Sequence, residues 1–142
     1  MTRKIINAAG VLFFASSTNR QLFLLRNDKT APTWSIPGGK VERNETLLET
    51  LKRECEEEIG HWPDGVKLFP IERYQSEDGH FCYHTFTAVL DCEFTPILND
   101  EHIGYAWVDQ STYPRPLHRG LFSTLTYDLI QEKLAIIRSS ID

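Results

Sequence analysis

The sequence predicts a mixed α/β fold, a sheet covered on both faces by helices, and three observations carry that expectation. Short runs rich in β-branched and aromatic residues, bounded by turn residues, recur in both halves of the chain. A polar, Glu-rich segment of helical length lies between them, and an apolar stripe at helical spacing closes the chain.

The first strands are expected over Ile5 to Phe14 and Gln21 to Arg26, joined by the polar stretch Ser16 to Arg20. Arg3 and Lys4 ahead of the apolar Ile5 to Ala15 also have the outline of a secretory leader, but Asn7 interrupts the run and two strands with a turn are the simpler reading. Pro32 to Gly39 reads as a Pro- and Gly-rich loop. A helix follows from Asn44 or Glu45 to Ile59, with Asn44 as its cap and Gly60 as its stop. Val66 to Tyr74 and Phe81 to Leu90 are expected to be strands around a turn at Glu77-Asp78-Gly79, and Tyr105 to Val108 is a further short strand. The last helix is expected over Leu121 to Ile137, where Leu121, Leu125, Leu129 or Ile130, Leu134 and Ile137 mark a face packed on the sheet.

Composition narrows the functional classes. The 142 residues carry 15 Lys plus Arg against 20 Asp plus Glu, a net charge of −5, which argues against a partner held through DNA or RNA phosphates. With 41% hydrophobic residues and no long polar linker, one domain over residues 1–142 is expected. No apolar run approaches the roughly 18 residues of a spanning helix, so no membrane partner is expected. Cys55, Cys82 and Cys92 form no CxxC pair and are odd in number, which fits a reducing cytoplasm.

The chemistry concentrates in residues 42–58, where Glu42, Glu45, Glu49, Glu54, Glu56, Glu57 and Glu58 are opposed by Arg43, Lys52 and Arg53 alone. At about 100° per residue, Glu54, Glu57 and Glu58 fall within an arc of roughly 100° on one helix edge. Such carboxylates repel one another, and a divalent cation removes the penalty; hard oxygen ligands suit Mg²⁺, with Mn²⁺ as the alternative. Leu48, Leu51, Cys55 and Ile59 occupy the adjacent arc and can press on a sheet, leaving the carboxylate edge on a cleft. On this wheel Glu57 and Glu58 are both expected on the exposed edge. Pro37-Gly38-Gly39 just upstream gives backbone that can approach a ligand closely and offer carbonyls to a metal. His80, Cys82 and His84 share a face of one expected strand, but alternate strand residues lie roughly 6.5 to 7 Å apart and do not converge easily on one ion.

From Gly39 the chain runs through five residues to Glu45, seven more to Arg53-Glu54-Cys55-Glu56-Glu57-Glu58-Ile59-Gly60-His61. This resembles the Nudix box, G-x5-E-x7-R-E-U-x-E-E-x-G-U, with U a bulky aliphatic residue. Every fixed position matches; Cys55 and His61 depart at the two aliphatic ones. Trp34-Ser35-Ile36 before Pro37, and Asp100-Glu101-His102 before Tyr105-Ala106-Trp107-Val108, are similar to further family features.

The resemblance implies an α/β/α sandwich with a mixed sheet and metal-dependent hydrolysis of a phosphoanhydride in a nucleoside diphosphate linked to another moiety. Nucleoside triphosphates, dinucleoside polyphosphates, nucleotide sugars and capped RNA all remain open as substrates. By the same resemblance Glu54, Glu57, Glu58 and the Gly38 carbonyl would hold Mg²⁺, and Arg53 would orient a box glutamate. Glu45 would support the loop or Arg53. Glu54 and Glu101 are the two candidates for general base, Arg26 for a phosphate contact, and Trp34, Gly39 and Tyr83 for contacts with the rest of the nucleotide. Small domains of this family often pair, which leaves room for a homodimer. The alternative is a non-catalytic, Nudix-like nucleotide-binding regulatory module.

Overall fold

The computed structural model describes residues 4–141, so Arg3 lies outside the described residues. The chain forms β1 (Ile6–Ala15), β2 (Arg20–Arg26), β3 (Trp34–Ser35), β4 (Gly38–Lys40), α1 (Leu47–Ile59), β5 (Lys67–Gln75), β6 (Phe81–Leu90), β7 (His102–Asp109), α2 (Arg119–Thr126) and α3 (Asp128–Ser139). The sheet runs β3-β2-β1-β6-β5, with β4 also pairing β1 and β7 also pairing β2. Only β1 and β6 are parallel among these pairs, so the sheet is mixed as expected. No described helix is long and apolar enough to cross a membrane.

Alternation along the central strands builds the two layers. Val11 and Phe13 on β1, with Leu22 and Leu24 on β2, meet Leu51, Cys55 and Ile59 of α1. Leu12 and Phe23, one residue out of phase, meet Leu121, Leu125, Ile130 and Leu134 of α2 and α3 on the opposite face. Cys55 is fully buried, so the smaller side chain is accommodated in the core. His61, in place of the second aliphatic, sets its ring edge-on to Phe94 at 4.8 Å, and Phe94 also packs against Phe13 and Trp107.

Three expectations need correction. The cap of α1 is Thr46, not Asn44: Thr46 Oγ1 accepts from the Glu49 amide at 3.1 Å while Glu49 Oε1 accepts from the Thr46 amide at 3.0 Å, a reciprocal capping box. Asn44 instead turns the chain with φ 66°. β7 begins at His102 rather than Tyr105, because it continues pairing along β2 past a register shift as far as Arg26. The last helix is two helices, parted by extended backbone at Tyr127 (φ −80°, ψ 120°). Thr124 is drawn to the sheet by its bond to Glu72 Oε1 at 2.6 Å, and Gln131 Nε2 donates to the Leu125 carbonyl freed by the break at 2.7 Å. Ile130 rather than Leu129 is therefore the buried residue.

Candidate active site

The expected loop between β2 and α1 contains β3 and β4, and these two short strands position the site. Gly38 and Gly39 pair with Gly10 and Ala9 of β1, which sets β4 against the Glu54 and Glu58 carboxylates of α1. A side chain at Gly38 would place its Cβ 2.2 Å from the Ala9 carbonyl oxygen and 2.6 Å from Gly10 Cα, so the approach admits glycine alone. Its amide donates to Glu58 Oε1 at 3.2 Å. Gly39 lies against the Glu54 carboxylate, within 2.4 Å of where a Cβ would sit.

Helix α1 delivers the glutamates and stops at Gly60, whose φ of 91° and close approach to Ile97 both demand glycine. Glu57 is 54% exposed, but Glu58 is only 3% exposed, which corrects the expectation that both lie on the open edge. Helical periodicity groups the two residues; β4 covers one and leaves the other in solvent. Burial, followed by a hydrogen bond with Glu54, pushes the Glu58 carboxyl up, although the Gly38 amide opposes the shift.

Arg53 is the hub that orders the rest. Its Nε and Nη2 donate to Glu45 at 2.7 and 3.0 Å, Nη1 donates to Glu54 Oε1 at 2.8 Å, and Nη2 donates to the Lys40 carbonyl at 2.9 Å. Glu42 and Glu57 each lie 3.6 Å from Nη1. The guanidinium holds the Glu45 carboxyl down at about 2.

Residues far along the chain complete the cleft. Among the described residues, Glu58, Glu101 and His102 bring one ligand atom each to within 4.8 Å of one another. Glu101 is exposed at the end of the loop before β7, its backbone carbonyl held by the Asn27 amide at 2.9 Å. The buried His102 stands opposite Arg26 in the β7–β2 register. Burial and then the Arg26 charge lower its imidazole to about 4, which leaves it neutral at physiological pH.

The remaining candidates surround this group. Arg26 sits where its charge reaches Tyr83, His102 and His118, and its Nε donates to Asp28 Oδ2 at 3.1 Å. The Tyr83 hydroxyl lies over Gly10, and burial, with Glu58 adding, pushes it up to about 12. Trp34 is half-buried; its backbone accepts from the His118 amide at 2.7 Å and donates to the Pro116 carbonyl at 2.8 Å, tying the segment before α2 to the cleft. His84 Nε2 instead contacts Cys82 Sγ at 3.4 Å and Asn7 Oδ1 at 3.3 Å, away from the carboxylates.

The box geometry agrees with a family model for the NUDIX domain that matches residues 4–125. The chain belongs to the NUDIX family of hydrolases.

Dihydroneopterin triphosphate diphosphatase of Haemophilus influenzae is 29% identical over 113 residues, covering 69% of this chain and 70% of that protein. An 8-oxo-dGTP diphosphatase of the same organism is 40% identical over 81 residues, covering 54% of this chain and 56% of that one, so the chain spans little more than half of this relative's length. In fold, the chain is similar to the NUDIX domain of Shewanella oneidensis NrtR, solved with ADP ribose, at a TM-score of 0.72 and 16% identity over 94% of this chain and 90% of that one.

In the sequence His102 is marked only as part of the Asp100-Glu101-His102 segment, with no ligand role, and His118 is not marked at all. His102 carries the one legible signal, its place beside Glu101, whereas His118 joins the cleft only through the backbone of Trp34.

Proposed function

We propose that this Nudix chain hydrolyses a phosphoanhydride bond in a nucleoside diphosphate linked to a further group, with a divalent cation, Mg²⁺ or alternatively Mn²⁺, at the box glutamates. The observation that carries the reading is Glu58: a buried carboxylate oriented by the Gly38 amide, beside the Glu54 carboxyl and facing Glu101. Like charges so arranged need a proton or a cation between them, and the Arg53 guanidinium beside Glu54 is already engaged by Glu45, Glu54 and Lys40. The donor set therefore fits a hard divalent ion.

Glu54, Glu57, Glu58 and the Gly38 carbonyl would hold it. Bound there, a divalent cation neutralises the diphosphate and acidifies water. Arg53 fixes Glu54 by its bond at 2.8 Å, so the carboxylate does not have to be ordered when substrate arrives. Glu101, exposed and beside Glu58, accepts the proton of the attacking water, with Glu54 the alternative base. Arg26 contacts a substrate phosphate. Trp34 and Tyr83, with the backbone at Gly39, border the rest of the nucleotide.

The diphosphatase relatives favour triphosphate substrates, with a phosphate chain ending in a purine- or pterin-like ring system. The test is product analysis by chromatography and mass on a panel of nucleoside triphosphates, dinucleoside polyphosphates and nucleotide sugars, with and without Mg²⁺, and Glu57→Gln as control. Metal-dependent cleavage between phosphates, lost in the variant, is expected. Tight binding of one nucleotide without turnover across the panel would overturn the reading in favour of a regulatory module.

A further inference from the structure

The geometry points to His102 as a nitrogen ligand of the metal site, which makes the site a mixed carboxylate–imidazole centre with a preference for Mn²⁺ over Mg²⁺. This inference rests on the metal reading above and adds a ligand outside the box.

Three features support it. First, a ring nitrogen of His102 lies within 4.8 Å of carboxylate oxygens of both Glu58 and Glu101. Ligands around an ion of about 2.1 Å bond length are about 3 Å apart when adjacent and about 4.2 Å when opposite. Shifts of a few tenths of an ångström close the group on one ion, and the exposed Glu101 side chain is free to make them. Second, His102 is 8% exposed and its Nδ1 has no hydrogen-bond partner. Buried polar nitrogens are ordinarily paired, so an unpaired one on a ring that lies beside two carboxylates marks a missing partner. Third, the ring is carried by a strand rather than a loop: His102 is held in register opposite Arg26, and its amide bonds to the Asn99 carbonyl at 3.4 Å. A site built on a strand keeps its ligand in place when the cation is absent.

The chemical consequence follows from ligand hardness. Carboxylate and carbonyl oxygens serve Mg²⁺ and Mn²⁺ alike, whereas an imidazole nitrogen favours first-row transition ions. A second effect is on the base: an ion drawn toward His102 sits beside Glu101 as well as Glu58, so Glu101 would then share in ligation.

Pulsed EPR of the full chain loaded with one equivalent of Mn²⁺ tests this, because a directly bound imidazole imprints ¹⁴N modulation on the electron spin echo. Wild-type protein is expected to show the modulation, His102→Gln to lose it while still binding Mn²⁺, and His118→Gln and His84→Gln to keep it. Should His102→Gln fail to fold, wild type labelled with ¹⁵N-histidine must lose the ¹⁴N pattern while unlabelled His118→Gln and His84→Gln retain it. Bound Mn²⁺ with no nitrogen modulation, or modulation that survives in folded His102→Gln, would overturn the inference and leave the box reading standing. Mn²⁺ binding unchanged by Glu58→Gln would instead overturn the box reading itself.

Discussion

Arg53 grips Glu45 with two parallel hydrogen bonds, Nε to Oε2 at 2.7 Å and Nη2 to Oε1 at 3.0 Å, across eight residues of chain. Glu45 precedes the α1 cap, and its Oε1 also accepts from the Glu42 amide at 2.9 Å and from Thr50 Oγ1 at 2.7 Å. One planar cation thus ties the β4–α1 connection to the second turn of the helix and to the Glu54 carboxylate. A lysine cannot reproduce that fork. Arg53→Lys is expected to lower stability by about 1–3 kcal/mol and kcat by about 100-fold, since Glu54 loses its anchor. Urea unfolding beside steady-state kinetics checks both, and a variant with wild-type kcat would remove Arg53 from the positioning of Glu54.

The same pair predicts acid lability. Arg53 holds the folded-state Glu45 carboxyl at about 2, below the ordinary value of 4.5. Between those values the unfolded chain takes up a proton that the folded chain refuses, so stability rises with pH across this window. The Glu45 contribution is complete above about pH 5 and is lost as pH falls toward 2. Urea midpoints measured from pH 5.5 to 2.5 should fall more steeply for wild type than for Glu45→Gln. Parallel slopes would show that the pair does not set the acid limit.

Glu57 and Glu58 are adjacent in sequence and expected to respond differently. Glu57→Gln alters a solvent-exposed side chain and should leave stability within about 0.5 kcal/mol. Glu58→Gln replaces a buried carboxyl whose charged form is disfavoured by burial and by the neighbouring Glu54; the amide can donate to Glu54 and accept from Gly38, so the metal-free protein keeps or gains stability. Both variants should lose about 100-fold or more in metal-dependent rate. Calorimetry separates them from folding defects: the rise in Tm caused by Mg²⁺ or Mn²⁺ in wild type should vanish in Glu58→Gln. A retained shift would place the cation elsewhere.

The parts of this architecture that local rules govern were legible in the sequence. Gly39, Glu45, Arg53, Glu54, Glu57, Glu58 and Gly60 are set by spacing along one loop and one helix, and apolar runs bounded by turn residues mark the central strands. What escaped depends on contacts between distant residues. The break at Tyr127 is accompanied by the Thr124–Glu72 bond, 52 residues apart. The burial of Glu58 depends on β4, which a Pro- and Gly-rich loop reading does not contain. The position of His102 depends on the pairing of β7 with the end of β2, past a register shift that no short pattern announces.

Gly38 joins the fold to the chemistry, and its substitution separates the two from general crowding. A Cβ there would meet the Ala9 carbonyl and Gly10 Cα, both backbone atoms of a central strand that cannot rotate away. β4 must move outward, which is expected to cost about 1–3 kcal/mol. The larger effect falls on activity: the Gly38 amide that orients Glu58 at 3.2 Å moves with the strand, and a displacement near 1 Å at a catalytic group costs about 100-fold in rate. Gly104→Ala is the control, because a Cβ at that position of β7 meets only Leu25 at 3.8 Å, an ordinary contact. Gly38→Ala should therefore lose kcat far beyond its loss of stability, while Gly104→Ala keeps both near wild type. If Gly38→Ala retained wild-type kcat at a temperature where it is fully folded, the close approach of β4 to β1 would have no part in orienting Glu58.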